Sequence, residues 1–468
     1  MFSRSSEKES REPLLPPNDP SKEQRPQPGW HRYPRGLILL VLGILLAANL
    51  VLLSAFIRSS NAASSLASKG LEICAWDSLQ NHISLLSVPP ITREEFLDRQ
   101  AILAAALEET GVDAFIAEPS ASSTYYANIS ASYDLSERPF LMILSKDGQF
   151  SYLAPKFELS RIAGLTMVYE EKKVIEWKEE ESPYEVLKRE TGFGKVMLDE
   201  HVRFMIAAGL KEAGVEVIPM SRAIQSLRAV KSEAELAILK GINGFTLQLV
   251  RSLQKCIKIG MSQDTIRTAA HGLFTRAGVG KGFWAIVLFG EQAASPHGGS
   301  SDKTLNDGEF VLIDIGSALH EYGSDVTRTI LPSKSKVSEE LMDIWHTVHA
   351  AQGAAIELMK PNETCSVVDT ASRNVITEKG FGDFFTHRLG HGLGLEIHEH
   401  PYLNGANDEK LKVGEVATNE PGIYVTSEQA KKMSKDVGFG VRIEDAVLVT
   451  EDGGVVMTGA RARSPYEP

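Results

Sequence analysis

Hydrophobic and polar positions from residue 91 onward switch between helical and strand-like spacing. Apolar side chains recur every three or four positions from Arg93 to Glu109 and the run stops before Gly111, which predicts a helix. Strand-like runs follow at 114–117, 140–144, 150–153, 196–198 and 215–219, with helical stretches between them. This alternation predicts an α/β domain over 90–228, built on a partly parallel sheet.

A second unit is predicted over 229–460, and it begins with a helix start signal. Ser232-Glu-Ala-Glu before an apolar run is a capping box, in which the Ser232 hydroxyl and the Glu235 carboxylate bind open backbone N–H groups. Further helices are predicted at about 262–277, 338–359 and 365–379. Strands are predicted at 309–317, 322–331, 415–425 and 440–450.

The first 89 residues have a different pattern. Residues 1–35 are polar and lack apolar periodicity, so they predict a disordered tail. Residues 36–57 contain no charge, and ~22 residues at ~1.5 Å each give ~33 Å, enough for a ~30 Å hydrocarbon core. A transmembrane helix is therefore predicted there, with a stem at 58–89 that ends at two prolines.

Charges around the predicted span set its expected orientation. More lysines and arginines precede the span than follow it closely, so the tail is expected to be cytoplasmic and the catalytic part lumenal or extracellular. The sequence thus predicts a single-pass membrane protein. Asn128 and Asn362 lie in Asn-X-Ser/Thr triplets and are glycosylation candidates on that side of the membrane.

Composition narrows the chemistry. The 468 residues carry 49 basic against 61 acidic side chains, a net charge of −12, which argues against a general nucleic-acid binder because phosphate neutralisation needs a basic face. Three cysteines are too few for a disulfide scaffold or a thiolate zinc cage. Any metal must then be held by His, Asp and Glu.

Paired carboxylates appear first in the segment EFVLIDIGSALHEYGSDVTRTIL. Asp314 lies in an apolar strand and Asp325 starts the next β-branched run, so a hairpin would place them side by side. A carboxylate in such a strand is costly unless it is paired or coordinates a cation. The alternative is a strand-end and a turn aspartate without chemistry.

A histidine cluster and two more carboxylates follow. THRLGHGLGLEIHEHP holds His387, His391 and His398, and Glu420 and Glu444 lie in the strand-like segments VATNEPGIYV and GVRIEDAVLVT. Glycines around His391 oppose a zincin helix, and neither a GxSxG serine elbow nor a phosphate loop occurs. Two Asp, two Glu and one His suit a two-metal site for Mn²⁺, Co²⁺ or Zn²⁺.

These five residues, in this order and these local contexts, resemble the metal ligands of the aminopeptidase P, prolidase and methionine aminopeptidase family, which has the pita-bread fold. The resemblance covers about 232–455. The additional domain before it resembles the creatinase-like amino-terminal domain of the aminopeptidase P and prolidase branch. The expected fold class is therefore α/β (α+β), with a creatinase-like domain followed by a pita-bread catalytic domain.

The resemblance also implies roles for individual residues. Asp314 would chelate one metal, Asp325 and Glu444 would bridge two, and His391 with Glu420 would complete the other site. A bridging hydroxide would attack the scissile carbonyl, with Glu420 shuttling its proton. The substrate would be bound by residues that resemble the family's substrate-side groups, with His297 and His398 stabilising the oxyanion and His387, Arg442 and Tyr322 holding carboxylates or substrate.

The predicted activity is hydrolysis of the bond before a penultimate proline in proline-containing peptides, with two divalent ions, Mn²⁺ first and Co²⁺ or Zn²⁺ as alternatives. A prolidase acting on Xaa-Pro dipeptides is the nearest alternative. Prolidases would use an arginine near 426–440, where this chain offers Lys431, Lys432 and Lys435. A metal-dependent enzyme of a small non-peptide metabolite and a non-enzymatic binding protein are further alternatives. Because dimers are common among relatives, a homodimer is also expected.

Overall fold

The structure is a computed structural model that describes residues 45, 46, 49 and 64–468, except 135, 170, 300, 301 and 434–436. The chain divides into two units, Met1–Ala62 and Ala63–Pro468. In the first unit, Leu45, Leu46 and Asn49 are helical and exposed. The predicted tail, 1–35, lies outside the described residues.

The membrane prediction is corrected by the structure. No helix formed by the described residues is both long enough and apolar enough to cross a bilayer. Only three residues of the predicted span at 36–57 are described, and they cannot by themselves form one. The finding overturns the predicted single-pass topology with a cytoplasmic amino terminus and a lumenal or extracellular catalytic domain.

The predicted stem, 58–89, is instead largely packed against the rest of the chain. Helix α1 occupies 64–79 and is followed by a 3₁₀ turn at Gln80–Leu86. Leu71, Ala75 and Leu79 are buried in an apolar cluster with residues of the second half of the chain. A disulfide joins Cys74 of α1 to Cys256. An apolar stripe facing a core explains why this segment is not a free stem.

The amino-terminal half forms one six-stranded sheet, which confirms the predicted α/β pattern. Its strands pair in the order β4-β3-β2-β1-β5-β6, with β3–β4, β1–β5 and β5–β6 parallel and the other pairs antiparallel. The strands are β1 (Ala114–Ala117), β2 (Leu141–Ser145), β3 (Phe150–Pro155), β4 (Val174–Trp177), β5 (Lys195–Leu198) and β6 (Glu216–Pro219). The helices are α2 (Arg93–Thr110), α3 (Ala121–Ala127), α4 (Leu159–Ala163), α5 (Pro183–Thr191), α6 (Phe204–Glu212) and α7 (Arg222–Ala229), with a 3₁₀ turn at Lys156–Glu158.

The second half begins with the predicted capping box, which is confirmed. The Ser232 hydroxyl accepts from Glu235 N, the Glu235 carboxylate accepts from Ser232 N, and the long helix α8 follows. The helices here are α8 (Glu233–Cys256), α9 (Gln263–Arg276), α10 (Glu339–Ile356), α11 (Cys365–Glu378) and α12 (Ser427–Lys432), with 3₁₀ turns at Gly290–Ala294 and Gly382–Phe384. Trp345 Nε1 of α10 donates to Thr329 O at 2.8 Å and so fixes that helix against the sheets.

The strands of this half form several small sheets. They pair as β11-β8-β7, as β13-β12-β14-β17-β18, as β15-β16 and as β10-β9. Their bounds are β7 (Trp284–Phe289), β8 (Val311–Gly316), β9 (Ala318–Leu319), β10 (Tyr322–Gly323), β11 (Val326–Ile330), β12 (Gly390–Gly392), β13 (Glu399–Leu403), β14 (Val416–Asn419), β15 (Gly422–Val425), β16 (Phe439–Arg442), β17 (Asp445–Thr450) and β18 (Gly453–Val456).

Three strands predicted as continuous are each broken in two. The predicted strands at 322–331, 415–425 and 440–450 are interrupted where the chain leaves one sheet and enters another. Each break contains one of the predicted ligands, Asp325, Glu420 or Glu444. The breaks therefore gather carboxylates from separate strands around a single point.

Candidate metal centre

Two adjacent antiparallel strands position the aspartates. Asp314 lies inside β8, opposite Thr327 of β11, and Asp325 directly precedes β11. The Asp325 N–H donates to Asn243 Oδ1 of α8 at 3.1 Å. The hairpin predicted from the sequence thus places both carboxylates on the same side of the sheet.

The other three residues are held through their own backbone N–H groups. His391 lies in β12, and its N–H donates to Thr418 Oγ1 at 3.0 Å. The Glu420 N–H donates to Leu389 O at 2.9 Å, and the Glu444 N–H donates to the carbonyl oxygen of Thr327 at 3.0 Å. The main chain at each of these residues is therefore fixed by a hydrogen bond from its own N–H group.

The five predicted ligands converge. Three overlapping groups each have ligand atoms within 4.8 Å of one another: Asp314, Asp325 and Glu444; His391, Glu420 and Glu444; and Asp325, His391 and His398. His391 Nε2 lies 3.1 Å from Glu420 Oε1 and 3.8 Å from Asp325 Oδ2. Overlap of the groups is the arrangement that two neighbouring cations need.

Burial makes this cluster costly without a cation. Asp325 is 3% exposed, Glu444 is 1% exposed, and in the described part of the chain Asp314 Oδ1 and Glu444 Oε1 are buried without a hydrogen-bond partner. A buried carboxylate oxygen without a partner costs free energy that a coordinated metal ion removes. The donor set of carboxylate oxygens and one imidazole nitrogen fits a first-row divalent cation.

The carboxyl groups respond to this crowding. Burial raises the pKa of Asp314, although the Arg442 guanidinium opposes the rise. Burial and the charge of Glu444 raise the pKa of Asp325 well above its usual range, and burial with neighbouring carboxylates does the same for Glu444. A divalent cation would reverse these shifts because it stabilises the ionised forms.

Glu420 differs from the other carboxylates. Burial would raise its pKa, but the hydrogen bond and the charge of His391 outweigh burial and lower the pKa to about 2. His391 Nδ1 lies 3.2 Å from Gly392 O, so a protonated Nδ1 donates there and Nε2 faces the carboxylates. That bond holds the ring in the orientation a metal ligand requires.

Arg442 and Thr327 form the layer behind the carboxylates. Arg442 is buried and forms an ion pair with Asp314, while its Nε donates to Thr327 Oγ1 at 3.2 Å and its Nη1 to Tyr424 OH at 3.0 Å. Thr327 Oγ1 in turn donates to Glu444 Oε2 at 2.7 Å. Arg442 therefore positions a predicted ligand from behind.

A cavity of about 740 Å³ opens onto the cluster. It contains four of the predicted substrate residues, Arg442 and the three histidines His297, His387 and His398, and its apolar wall includes Trp284, Ile286 and Ile397. These three histidines are therefore near the predicted ligands, as the resemblance implied. Their roles toward a substrate stay predictions.

The three histidines have different surroundings. His297 is exposed. His387 Nε2 lies 2.8 Å from Tyr424 OH, and burial lowers its pKa. Burial, followed by the charges of His391 and Arg388, lowers the pKa of His398 to about 4, so His398 is neutral near pH 7. A neutral imidazole can donate one hydrogen bond to a substrate carbonyl.

Tyr322 is the predicted site residue that the structure places elsewhere. Its hydroxyl donates to Glu235 Oε1 at 2.9 Å and accepts from Arg99 at 3.4 Å. It is 2% exposed and is not among the residues that line the cavity. A substrate in this cavity would not reach its hydroxyl without movement of neighbouring side chains.

The two glycosylation candidates are on the surface. Asn128 and Asn362 are exposed and have positive φ angles of 57° and 69°. Asn128 Nδ2, the atom that would carry a glycan, donates to Thr166 O at 2.9 Å. Use of either residue stays a prediction.

Several residues of the site were missed by sequence reasoning. Thr327, Thr418 and Tyr424 bind the ligand side chains or their partners, and Arg388 lines the cavity. Thr327 and Thr418 each lie two residues from a predicted ligand on the same strand segment, so the period of two along a strand was an available signal. Tyr424 and Arg388 carried no comparable signal.

Comparisons with known proteins agree with this layout. Residues 239–451 match the model of metallopeptidase family M24, and residues 99–230 match the creatinase/prolidase N-terminal domain. An uncharacterised peptidase of Schizosaccharomyces pombe is 43% identical over 405 residues, covering 82% of this chain and 87% of the relative.

Solved structures give a similar result. Prolidase from Pyrococcus furiosus is 29% identical with a TM-score of 0.65, covering 76% of this chain and 99% of that one. X-Pro aminopeptidase from Thermotoga maritima is 27% identical with a TM-score of 0.64, covering 78% of this chain and 98% of that one.

Proposed function

The chain belongs to metallopeptidase family M24, and from that premise we propose that it releases the amino-terminal residue from peptides whose second residue is proline. The observation that carries the proposal is the convergence of four carboxylates and His391 beneath a cavity with an apolar wall. The tertiary amide before proline lacks an N–H, so a peptidase for it must recognise the ring and not a backbone donor.

The residues that would hold the metal are Asp314, Asp325, His391, Glu420 and Glu444, and the number proposed is two divalent ions, Mn²⁺ or alternatively Co²⁺ or Zn²⁺. Such ions supply an activated water and polarise a carbonyl oxygen. Their fit is supported by the unpartnered oxygens of Asp314 and Glu444 and by overlap of the ligand groups.

The side chains around the ligands would perform the remaining tasks. Trp284, Ile286 and Ile397 offer an apolar surface for a proline ring, and His297 and His398, which line the same cavity, are the proposed donors to the carbonyl oxygen. In the reaction the bond from carbonyl carbon to proline nitrogen breaks, OH joins the carbon and a proton goes to the nitrogen. Glu420, ionised near neutral pH, is the proposed carrier of that proton.

The second candidate is an Xaa-Pro dipeptidase. Prolidase from Pyrococcus furiosus shares the fold and 29% of the sequence, and the cavity holds an arginine, Arg388, without a carboxylate partner among the described residues. Lys431 and Lys432, which the sequence suggested in place of a prolidase arginine, are exposed and do not line the cavity. Lys435 lies outside the described residues.

The test uses the full chain, stripped of metal and reloaded separately with Mn²⁺, Co²⁺ and Zn²⁺. We expect about two ions per chain by elemental analysis and metal-dependent release of the first residue from Xaa-Pro-Yaa or Xaa-Pro, with the matched Xaa-Ala peptides as controls. Metal binding without cleavage of either proline peptide would contradict the proposal and favour a non-peptide substrate. Absence of both would favour a binding protein.

A further inference from the structure

The cavity above the metal centre is lined from one half of the chain. Every described residue that lines it lies between 284 and 444, whereas the amino-terminal sheet and its helices lie between 93 and 229. One element of the second half contacts both regions. It is the loop at 393–398, which joins β12 to β13 and has no regular secondary structure. The position of this loop therefore depends on the elements that pack against it.

One side of the 393–398 loop faces the cavity. Ile397 belongs to the apolar wall, and His398 is a proposed donor to the carbonyl oxygen of the substrate. The centre of the His398 ring lies 4.2 Å from the centre of the ring of His391, a proposed metal ligand. The position of the loop consequently sets where His398 stands relative to the metal centre.

The other side of the loop contacts the amino-terminal half. Leu395 packs against the apolar core of the amino-terminal sheet and its helices. The next residue, Glu396, has one carboxylate oxygen 2.7 Å from Arg228 Nη2 and the other 2.7 Å from His201 Nε2. Residues 395 and 396 thus hold the loop from the amino-terminal side, and the two residues that follow them reach the cavity.

Arg228 of α7 is the more buried of the two partners of Glu396. It is 7% exposed, whereas His201 is an exposed residue. Although burial opposes it, the charges of Glu399 and Glu396 raise the pKa of Arg228, so its side chain stays a cation. Arg228 Nη2 donates to Glu396 at 2.7 Å and to Glu200 at 3.3 Å, while Nη1 is buried without a partner among the described residues. A single nitrogen therefore makes the contact with the loop.

We propose that Arg228 is a positioning residue for the reaction, because its ion pair with Glu396 holds the 393–398 loop where His398 can donate to the scissile carbonyl. The amino-terminal half thus controls turnover through this ion pair, although none of its described residues lines the cavity. The inference rests on the proposed function, in which His398 is a donor, and adds a group outside the cavity on which that role depends.

The first experiment measures kcat and KM of the metal-loaded full chain on Xaa-Pro and Xaa-Pro-Yaa. Arg228→Met should lower kcat by about 10- to 100-fold, the scale of a small misplacement of a reacting group, with KM within about threefold and metal content unchanged. Arg228→Lys should recover most of the loss, because one nitrogen can replace Nη2. The matched control, Arg203→Met, breaks an ion pair with Glu118 inside the amino-terminal half and should leave kcat within about twofold of wild type.

A double-mutant cycle separates positioning from a general loss of folded enzyme. If Arg228 acts through His398, Arg228→Met should lower kcat of the His398→Ala enzyme by less than about threefold, because the donor that it positions is already absent. A general loss of folded or metal-loaded enzyme would instead multiply with the effect of His398→Ala. Equal fold-losses of kcat in the two backgrounds would therefore overturn the inference.

A milder variant keeps the test available if Arg228→Met does not fold. Glu396→Gln preserves the size of the loop side chain and removes its charge, so it weakens the bonds to Arg228 and His201 without deleting them. It should lower kcat by about 3- to 10-fold in the wild-type background and by less than about twofold beside His398→Ala. A loss of the same size in both backgrounds would again contradict the inference.

A readout without turnover distinguishes this inference from the proposed function. In metal-free protein labelled with ¹⁵N-histidine, the imidazole resonances of His398 are those that disappear in His398→Ala. Arg228→Met should shift these resonances, and Arg203→Met should not. If the wild type cleaves neither proline peptide and the shift is still seen, the proposed function is wrong and the hold of Arg228 on the loop is supported. Unshifted His398 resonances in a folded Arg228→Met protein would overturn the inference.

Discussion

Two regions of the chain bury several charged side chains, and they balance the charge differently. The first, called here the junction cluster, consists of His201, Arg228, Lys231, Glu396 and Glu399, where the amino-terminal sheet meets the second half of the chain. Glu399 Oε1 lies 2.5 Å from Lys231 Nζ, and Glu396 lies 2.7 Å from both Arg228 and His201. Every carboxylate of this cluster has a cationic partner.

The candidate metal centre is different. It has four buried or nearly buried carboxylates, and among the described lysines and arginines only Arg442 pairs with one of them, Asp314. The imidazole of His391 adds at most one more positive charge. The presence of buried carboxylates alone therefore does not mark a metal site, because the junction cluster also contains carboxylates, each with a cationic partner. A metal site is indicated instead by an excess of buried carboxylates over the cationic side chains that pair with them.

The largest expected effect comes from removing one charge at the centre. Asp325→Asn should lower turnover by at least about 10⁴-fold, the scale seen when one member of a catalytic unit is lost, together with loss of bound metal. Steady-state kinetics and elemental analysis measure both. Asp264→Asn, at an exposed position in α9, is the matched control, and normal turnover by Asp325→Asn would refute the proposed ligand role.

The same variant has an opposite expected effect on the metal-free protein. Burial and the charge of Glu444 raise the pKa of Asp325, so folding at neutral pH must either bury a charge at Asp325 or protonate it, and both cost free energy. For an acid with a raised pKa, this loss of stability grows as pH rises from the unfolded-state pKa toward the folded-state pKa. Asp325→Asn should therefore stabilise the protein, after a chelator has removed its metal, against unfolding by urea near pH 7. If the variant unfolded at a lower urea concentration than the wild type, the inference that the metal-free centre has an excess of negative charge would be wrong.

A smaller but still large effect is expected in the junction cluster. Lys231→Met leaves Glu399 buried without its cation and frees the carbonyl oxygens of Arg228 and Ala229. The cost should be about 3–5 kcal/mol of unfolding free energy, measured by urea denaturation. Lys432→Met breaks an exposed pair with Glu428 and should cost less than about 1 kcal/mol. Equal costs would mean that the junction pair is not effectively buried.

Arg442→Lys tests Asp314, the one carboxylate of the metal centre that pairs with an arginine or lysine among the described residues. Lysine has one nitrogen where Arg442 binds Thr327, Tyr424 and Asp314 through three separate nitrogens, so Asp314 should lose its fixed orientation. Metal affinity should fall by about 10- to 100-fold, the usual effect of removing a partner of a ligand, as measured by competition with a chelator. Arg203→Lys, which alters an ion pair with Glu118 in the amino-terminal half, should leave affinity unchanged.

Sequence reasoning predicted which residues come together more reliably than it predicted the bounds of the strands that carry them. Asp314, Asp325, Glu420 and Glu444 stood out as acidic residues in strand-like segments, His391 stood out in a cluster of histidines, and the family resemblance joined the five into one predicted ligand set. The breaks at Asp325, Glu420 and Glu444 were not readable. β-branched residues lie on both sides of the breaks at Glu420 and Glu444, and only tertiary pairing decides which sheet each half joins.

The sequence also did not predict which arginines pair with the buried carboxylates. Nothing local distinguishes Arg442, which binds Asp314, from Arg388, which binds the Tyr402 ring. Both follow from contacts between residues distant along the chain. The prediction of a stem at 58–89 was wrong for the same reason, since the apolar stripe at 64–79 did not indicate the core against which it packs.

The smallest expected effect comes from Tyr322→Phe, which decides to which region Tyr322 belongs. The resemblance implied contact with substrate, whereas its hydroxyl donates to Glu235 and accepts from Arg99. If it belongs to the buried polar network and not to the cavity, the substitution should cost about 1 kcal/mol of stability, the net value of one hydrogen bond. Glu235 retains Arg99 and the Ser232 N–H as partners, so the loss of stability should stay small.

Values of kcat/KM on Xaa-Pro and Xaa-Pro-Yaa should stay within about twofold of wild type, because the Tyr322 hydroxyl lies outside the cavity. A tenfold fall with unchanged stability would return Tyr322 to the substrate site and require the cavity to extend toward α8.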